Sequence, residues 1–236
     1  VDSVKTIEDL QGLTTEQVSF LQQTTSPSRF RVHYERLINI KKRGVGIYSP
    51  SGIGYCMHRQ LLRRQGLRGA YNLKPPTQGI FDFGHALHAY WQTLDEEIHG
   101  VEHYKAEVKV EIPELHLFGT CDAEITYPWI AYLYEYKTIN GASFKSLVAP
   151  LPTHIRQLTA YLKARNKPFG WLRYICKATG QCKDFVVMFM EDVWEEVKNL
   201  LLHLENSFVN NTPVEKTVGY QCGECQYILE CNPYEK

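Results

Sequence analysis

Acidic residues are missing from Arg36 to Phe81, in a chain of 236 residues whose 26 Asp and Glu otherwise balance 26 Lys and Arg. That stretch holds nine bases, which leaves 17 bases against all 26 acids in the remainder. Such asymmetry points to a face that meets a polyanion. Arg59, Arg63, Arg64 and Arg68 lie within it and are the candidate phosphate contacts, which would hold a strand without reading its sequence and would weaken with salt. Also lacking is any run near the roughly 20 apolar residues of a membrane-spanning helix, and no charged-then-apolar leader opens the chain. No membrane partner is therefore expected, and the expected location is the cytoplasm. The start at Val1 rather than Met is as expected of a trimmed or processed N-terminus.

What is present suits a folded chain rather than a disordered one, with 44% apolar and 22% charged residues. The length fits one large domain, or a domain with an added subdomain. Residues 6–43 read as helices interrupted at Ser26-Pro27-Ser28, so 1–48 is expected to be a helical N-terminal segment. A basic helix covers 56–65, a Pro-rich link covers 72–78, and a long helix covers 81–99 with Phe83, Leu87, Tyr90 and Leu94 on one stripe. Strands are predicted at 106–112, 116–126 and 130–138. A helix over 153–165 and a hairpin over 170–190, turning at Thr179-Gly180, come next. An amphipathic helix over 191–210 buries Val193, Trp194, Val197, Leu201, Leu204 and Phe208. This order predicts an α/β fold, a mixed central sheet flanked by helices.

The strand at 130–138 carries Glu135 and Lys137 in otherwise apolar surroundings. Alternation along a strand points both to the same face. Burying a carboxylate and an ammonium there is costly unless something pairs or uses them. Asp122 stands on the preceding strand. Two carboxylates and a lysine on adjacent strands are what a divalent metal and a phosphoryl substrate require, so the pattern predicts a metal-dependent phosphodiesterase. The plainer alternatives are a turn-capping Asp122 and a surface Glu135–Lys137 ion pair of little energetic weight.

Seven cysteines are present, and four have ligand-like placement. Cys222 and Cys225 form a CxxC, Cys231 follows closely, and Cys56 stands far upstream. In an intracellular protein this points to metal or redox chemistry more than to disulfides. The spacing does not separate zinc from an iron–sulfur cluster, since both accept four thiolates. Cys121, Cys176 and Cys182 read as small buried hydrophobes.

The ordered set Gly84-x-x-x-His88, Gly119-x-x-Asp122, Glu135-x-Lys137 and Gln157-x-x-x-Tyr161 resembles the PD-(D/E)XK nuclease superfamily in its RecB-type branch. With Cys56 upstream and Cys222, Cys225 and Cys231 downstream, it is similar to the Fe–S subgroup, which includes CRISPR-associated RecB-like exonucleases, the AddB nuclease domain and phage relatives. The likeness runs from Ser49 to the C-terminus, so 49–236 is expected to be the nuclease domain, of restriction-endonuclease-like core, with the cluster joining Cys56 to the C-terminal cysteines. The resemblance implies a DNA exonuclease acting on single-stranded ends. It implies Mg²⁺ or Mn²⁺ held by His88, Asp122, Glu135 and the Tyr136 backbone carbonyl, with Lys137, Gln157 and Tyr161 completing the catalytic set. It also favours a [4Fe-4S] cluster over Zn²⁺. His85 is expected as a neighbour of the site rather than a ligand. Tyr55, Tyr71 and Phe81 are candidate stacking partners for unpaired bases. Recombination or CRISPR adaptation proteins are possible partners. Two alternatives stay open: a DNA-binding subunit of a recombination or spacer-acquisition assembly with little or no cleavage, and an Fe–S or Zn regulatory or redox protein.

Overall fold

Three consecutive strands form an antiparallel meander: β1 (Tyr104–Ile112), β2 (Leu117–Tyr127) and β3 (Ile130–Ile139). This computed structural model describes residues 46–67, 75–219, 222–223 and 225–231, with the backbone alone for 75–78, 80 and 81. The expected helical segment at 1–48 lies almost wholly outside the described residues, as do Arg68 and Tyr71, and so does the Phe81 side chain. β4 (Phe169–Cys176) runs parallel to β3, and β5 (Cys182–Met188) returns antiparallel to it, giving the sheet order β1-β2-β3-β4-β5. Parallel neighbours need a long crossover. Here it is supplied by two helices, which the fold needs to cover a sheet face.

Helices are numbered in chain order: α1 (Met57–Arg64), α2 (Pro75–His99), α3 (Gly141–Ser146), α4 (Pro152–Arg165), α5 (Glu191–Val209) and α6 (Ile228–Cys231). α4 starts on Pro152, whose fixed φ suits a first turn, and stops at Asn166 in the left-handed conformation (φ 50°). Leu158, Tyr161 and Leu162 of α4 pack on Val110, Leu133, Leu172 and Val187 of the sheet. On the opposite face, Leu87 and Trp91 of α2 lie against Tyr104, Ala123, Ile125, Tyr134 and Tyr136. α5 closes a further layer with Trp194, Val197, Leu201 and Leu204 against Tyr48, Leu61, Ile112 and Leu117. Among the described residues, no helix is long and apolar enough to cross a membrane.

Three differences from the sequence-based expectations have physical causes. The long helix begins at Pro75, inside the expected link, because prolines are tolerated in a first turn where the N–H groups have no helical partner. Its expected apolar stripe is split: Leu87 packs on the sheet, but Phe83 and Tyr90 turn outward, 49% and 58% exposed. The inner face carries Gly84, His88, Trp91 and Asp95 beside Leu87, and the polar His88 and Asp95 are engaged directly by sheet residues. The short helix α3 was not anticipated; it is held at its start by Asn140, whose Oδ1 accepts the Ser143 N–H at 2.8 Å.

Candidate active site

The site lies where β2 and β3 part. Their ladder runs from Tyr127–Ile130 to Ala123–Tyr134 and stops. At the next position Asp122 replaces the missing strand contact with its own side chain, Oδ2 accepting the Tyr136 N–H at 2.7 Å. On the other side of β2, Glu107 lies between the paired positions Ala106–Ala123 and Val108–Cys121, and adopts a left-handed φ of 50°. Gln92 of α2 bridges this gap, its Nε2 donating to the Asp122 carbonyl at 3.1 Å and to Glu107 Oε1 at 3.0 Å. Two glycines allow the close approaches. A Cβ at Gly119 would stand 2.8 Å from the Pro50 ring, and one at Gly84 would stand 3.0 Å from Thr138 Oγ1. The second of these brings α2 onto the end of β3.

On β3, Glu135 is buried at 4% exposure. Its Oε1 accepts from Lys137 Nζ at 2.7 Å and from Gln157 Nε2 at 2.6 Å. Lysine has only donors, so it fixes the Gln157 amide with Oε1 toward Nζ, at 2.8 Å. The other amide proton of Gln157 reaches Tyr161 Oη at 2.9 Å. Glu135 Oε2 is then left buried with no hydrogen-bond partner among the described residues. Such an orphaned oxygen is costly and calls for an explanation. Burial, reinforced by the nearby Asp122 carboxylate, pushes the Glu135 carboxyl up to about 7 from its ordinary 4.5. Lys137 loses hydration in the same place, but the Glu135 carboxylate outweighs that loss and raises its pKa. His88 points its Nδ1 at Asp122 Oδ1 across 3.6 Å and packs edge-on against the Tyr136 ring.

The structure therefore brings together His88, Asp122, Glu135, Lys137, Gln157 and Tyr161. Gln157 and Tyr161 are only 3% and 2% exposed and touch side chains of the site rather than solvent. Among the described residues, no three His, Cys, Asp or Glu side chains form a group placed to hold a metal ion. The fit to a cation rests instead on the donor set: two carboxylates of neighbouring strands that repel one another, one of them with a lone oxygen facing no donor.

Arg64 corrects the expectation of a phosphate contact. Its guanidinium is spent on Glu205, at 2.9 and 2.7 Å, on the Gly46 carbonyl at 3.0 Å and on the face of Phe208. It ties α1 to α5 and is not available to a strand. Arg59 is exposed on the outer side of α1, while Arg63 is half-buried and already engaged. The four candidate cluster cysteines, Cys56, Cys222, Cys225 and Cys231, line a single recess that Tyr55 and Arg59 also border. Burial raises the Cys231 thiol, and Cys56, Cys225 and Cys222 stand close enough to add to that effect. Cys121 and Cys176 are buried, whereas Cys182 is only half-buried.

Several residues escaped the sequence-based reading. His154 sits one turn before Gln157 on the same face of α4 and hydrogen-bonds both Tyr174 and Tyr55. Asp95, two turns beyond His88, accepts from the Tyr136 hydroxyl and receives Arg173 Nη1 at 2.9 Å on both of its oxygens. Helical spacing from the recognised residues was the available signal for both.

The sequence matches no family model and no curated protein. Among solved structures, the chain is similar to the crystal structure of SSO0001 at a TM-score of 0.54 and 18% identity, covering 86% of this chain and 93% of that one. It is also similar to LHK-Exo, an alkaline exonuclease from Laribacter hongkongensis, at a TM-score of 0.53 and 11% identity, covering 71% of this chain and 90% of that one. The LHK-Exo complex with dAMP gives 0.54 and 12% over the same shares. At such identities the likeness is one of fold: the mixed five-stranded sheet flanked by helices is the restriction-endonuclease-like α/β core.

Proposed function

We propose that the protein is a metal-dependent DNA exonuclease acting on single-stranded ends. The observation that carries this reading is the buried Glu135 Oε2, without a donor among the described residues, beside Asp122 and Lys137 at the β2–β3 fork. The fold it shares with an alkaline exonuclease adds support. Asp122 and Glu135, with His88 and the Tyr136 carbonyl, would hold Mg²⁺ or Mn²⁺, whose hard character suits oxygen donors. When bound, the cation supplies charge neutralisation at the phosphate and a more acidic water. Lys137 contributes fixed positive charge where negative charge develops. Gln157 keeps Lys137 and Glu135 in register, since its amide contacts both. Arg59, exposed on α1 at the rim of the cysteine recess, would offer a salt-sensitive phosphate contact. A [4Fe-4S] cluster in the cysteine recess would join residue 56 to residues 222–231 and so stabilise only the folded chain.

The test is digestion of end-labelled single- and double-stranded DNA, and of circular DNA, with Mg²⁺ or Mn²⁺, with Asp122→Ala as control. Release of end-derived nucleotides from linear but not circular substrate is expected, and its loss in the control. Equal digestion by the wild type and Asp122→Ala would sink the assignment. DNA binding without any cleavage would instead favour a binding subunit of a recombination or spacer-acquisition assembly. Iron and sulfide by analysis, with visible absorbance, are expected of the purified protein; stoichiometric zinc would overturn the cluster.

A further inference from the structure

Beside the Lys137–Gln157 contact runs a second polar chain that the proposed chemistry leaves unused. Tyr174 is the β4 partner of Lys137 in the sheet register and is fully buried. Its hydroxyl oxygen accepts the Leu151 N–H at 2.9 Å, so its own proton is free for a different acceptor. Among the described residues, the acceptor in reach of that proton is His154 Nδ1, at 2.8 Å; the reverse arrangement, with Nδ1–H donating to the same oxygen, would leave a buried hydroxyl proton unserved. With Nδ1 accepting, the imidazole is neutral and its remaining proton sits on Nε2. Burial pushes the His154 pKa down to about 3, in keeping with the neutral ring. Nε2 lies 3.2 Å from Tyr55 Oη and therefore donates to it. Serving the buried Tyr174 proton thus selects one order of donation: Leu151 N–H to Tyr174, Tyr174 to His154, His154 to Tyr55.

The chain ends on a hydroxyl whose oxygen is already served and whose proton meets no acceptor among the described residues. Tyr55 is 37% exposed, in contrast to the buried His154 and Tyr174. It lies close enough to Lys137 to interact with it electrostatically. Its place is set by the turn before it, in which Gly54 takes a φ of 84° and sits against Thr153 and Arg156 at the start of α4. A β-carbon there would meet Arg156 Nη1 at 3.0 Å, in a conformation that side chains rarely adopt.

We propose that Tyr55 donates a hydrogen bond from its hydroxyl to a non-bridging phosphate oxygen of the DNA strand held at Lys137, and that His154 and Tyr174 are positioning residues that orient that proton. This rests on the nuclease reading above. No proton is transferred; the hydroxyl supplies a directed dipole where an oxygen gains negative charge. A phosphate, not a base, is the fitting partner, because the donor is aligned by a buried relay beside a fixed ammonium.

The experiment compares wild type, Tyr55→Phe and Tyr174→Phe on single-stranded DNA carrying one phosphorothioate of either configuration at the cleaved linkage. Sulfur accepts hydrogen bonds poorly, so replacing the oxygen that Tyr55 contacts mimics loss of the hydroxyl. Tyr55→Phe should lower kcat by about 10- to 100-fold, the range of one hydrogen bond to a charged oxygen, with KM changed far less. The wild type should slow with one diastereomer, and Tyr55→Phe should no longer distinguish that diastereomer from unmodified DNA. Tyr174→Phe, which frees His154 to turn its proton away, should show a weaker version of the same loss. Unchanged cleavage by Tyr55→Phe, or slowing equal for both diastereomers and matched by a fallen thermal midpoint, overturns the inference while leaving the nuclease reading intact. Failure of the wild type to cleave any DNA overturns both.

Discussion

Glu135 is the residue at which stability and the proposed chemistry oppose one another, and its replacement by Gln measures the conflict. The folded carboxyl holds its proton up to about pH 7, whereas an unfolded one releases it near 4.5. Between those values the folded chain binds more protons than the unfolded one, so its stability falls as pH rises through that window. The difference corresponds to about 3 kcal/mol at 1.36 kcal/mol per pH unit. The side chain is only 5% exposed, so solvent screening takes little from that figure. Glu135→Gln reproduces the protonated form: its carbonyl oxygen still accepts from Lys137 and Gln157. In protein freed of divalent cations, Glu135→Gln should match the wild type near pH 4.5 and exceed it by about 3 kcal/mol at pH 8. For a chain of this size that is a rise of about 6–12 °C in thermal midpoint. Adding Mn²⁺ at pH 8 should raise the wild-type midpoint and leave that of Glu135→Gln unmoved, and DNA cleavage should be lost in the variant. The reasoning is refuted if Glu135→Gln destabilises the cation-free protein equally at pH 5 and pH 8.

Two further outcomes separate structural from binding roles. Arg64→Ala should destabilise the chain by about 2–4 kcal/mol, since it strands Glu205 and empties the Phe208 face, yet leave the salt dependence of DNA binding unchanged. Arg59→Ala should do the reverse, reducing the slope of log affinity against log salt by about one in titrations at several ionic strengths. Cys222→Ser should lower soluble yield and abolish bound iron and visible absorbance, whereas Cys121→Ala, buried against the sheet away from the recess, should retain both; equal iron in the two variants would exclude the recess as its seat.

What the sequence made legible follows from which signals were local. Glu135, Lys137 and Asp122 stood out because charge is rare in an apolar strand, and the structure does set them together at the fork. The first three strands were found to within two residues at each end: β1 alternates clearly between buried and exposed positions, whereas β2 and β3 are buried in short continuous runs and were legible from their apolar, β-branched and aromatic content. The inner face of α2 was misjudged for the converse reason. Its sheet-facing positions hold His88, Asp95 and a glycine, so the apolar periodicity marked Phe83 and Tyr90, which point outward. Arg64 looked like its basic neighbours, and only the fold reveals Glu205, 141 positions away, as its partner. The relay from Tyr174 through His154 to Tyr55 joins three separate segments, and no spacing in the sequence announces it.

Asp95 shows how the two faces of the sheet cooperate. Asp122 is oriented by the Tyr136 N–H, and the Tyr136 side chain, on the opposite face, is anchored by Asp95. Asp95 is 2% exposed and is neutralised by Arg173, which also grips Asp184. The peptide that aims a candidate ligand is therefore fixed from behind by a buried ion pair. Asp95→Asn keeps the volume but removes the charge, leaving Arg173 with Asp184 alone. Breaking a buried pair from one side costs about 3–5 kcal/mol, and the thermal midpoint should fall accordingly. Tyr136→Phe removes the hydroxyl and leaves the ion pair, so its cost should be nearer 1–2 kcal/mol, that of one buried hydrogen bond. Both should slow cleavage, because both loosen the strand position that holds Asp122. A midpoint unchanged by Asp95→Asn would mean that Arg173 and Tyr136 do not depend on this carboxylate, and that the fork is held by β3 alone.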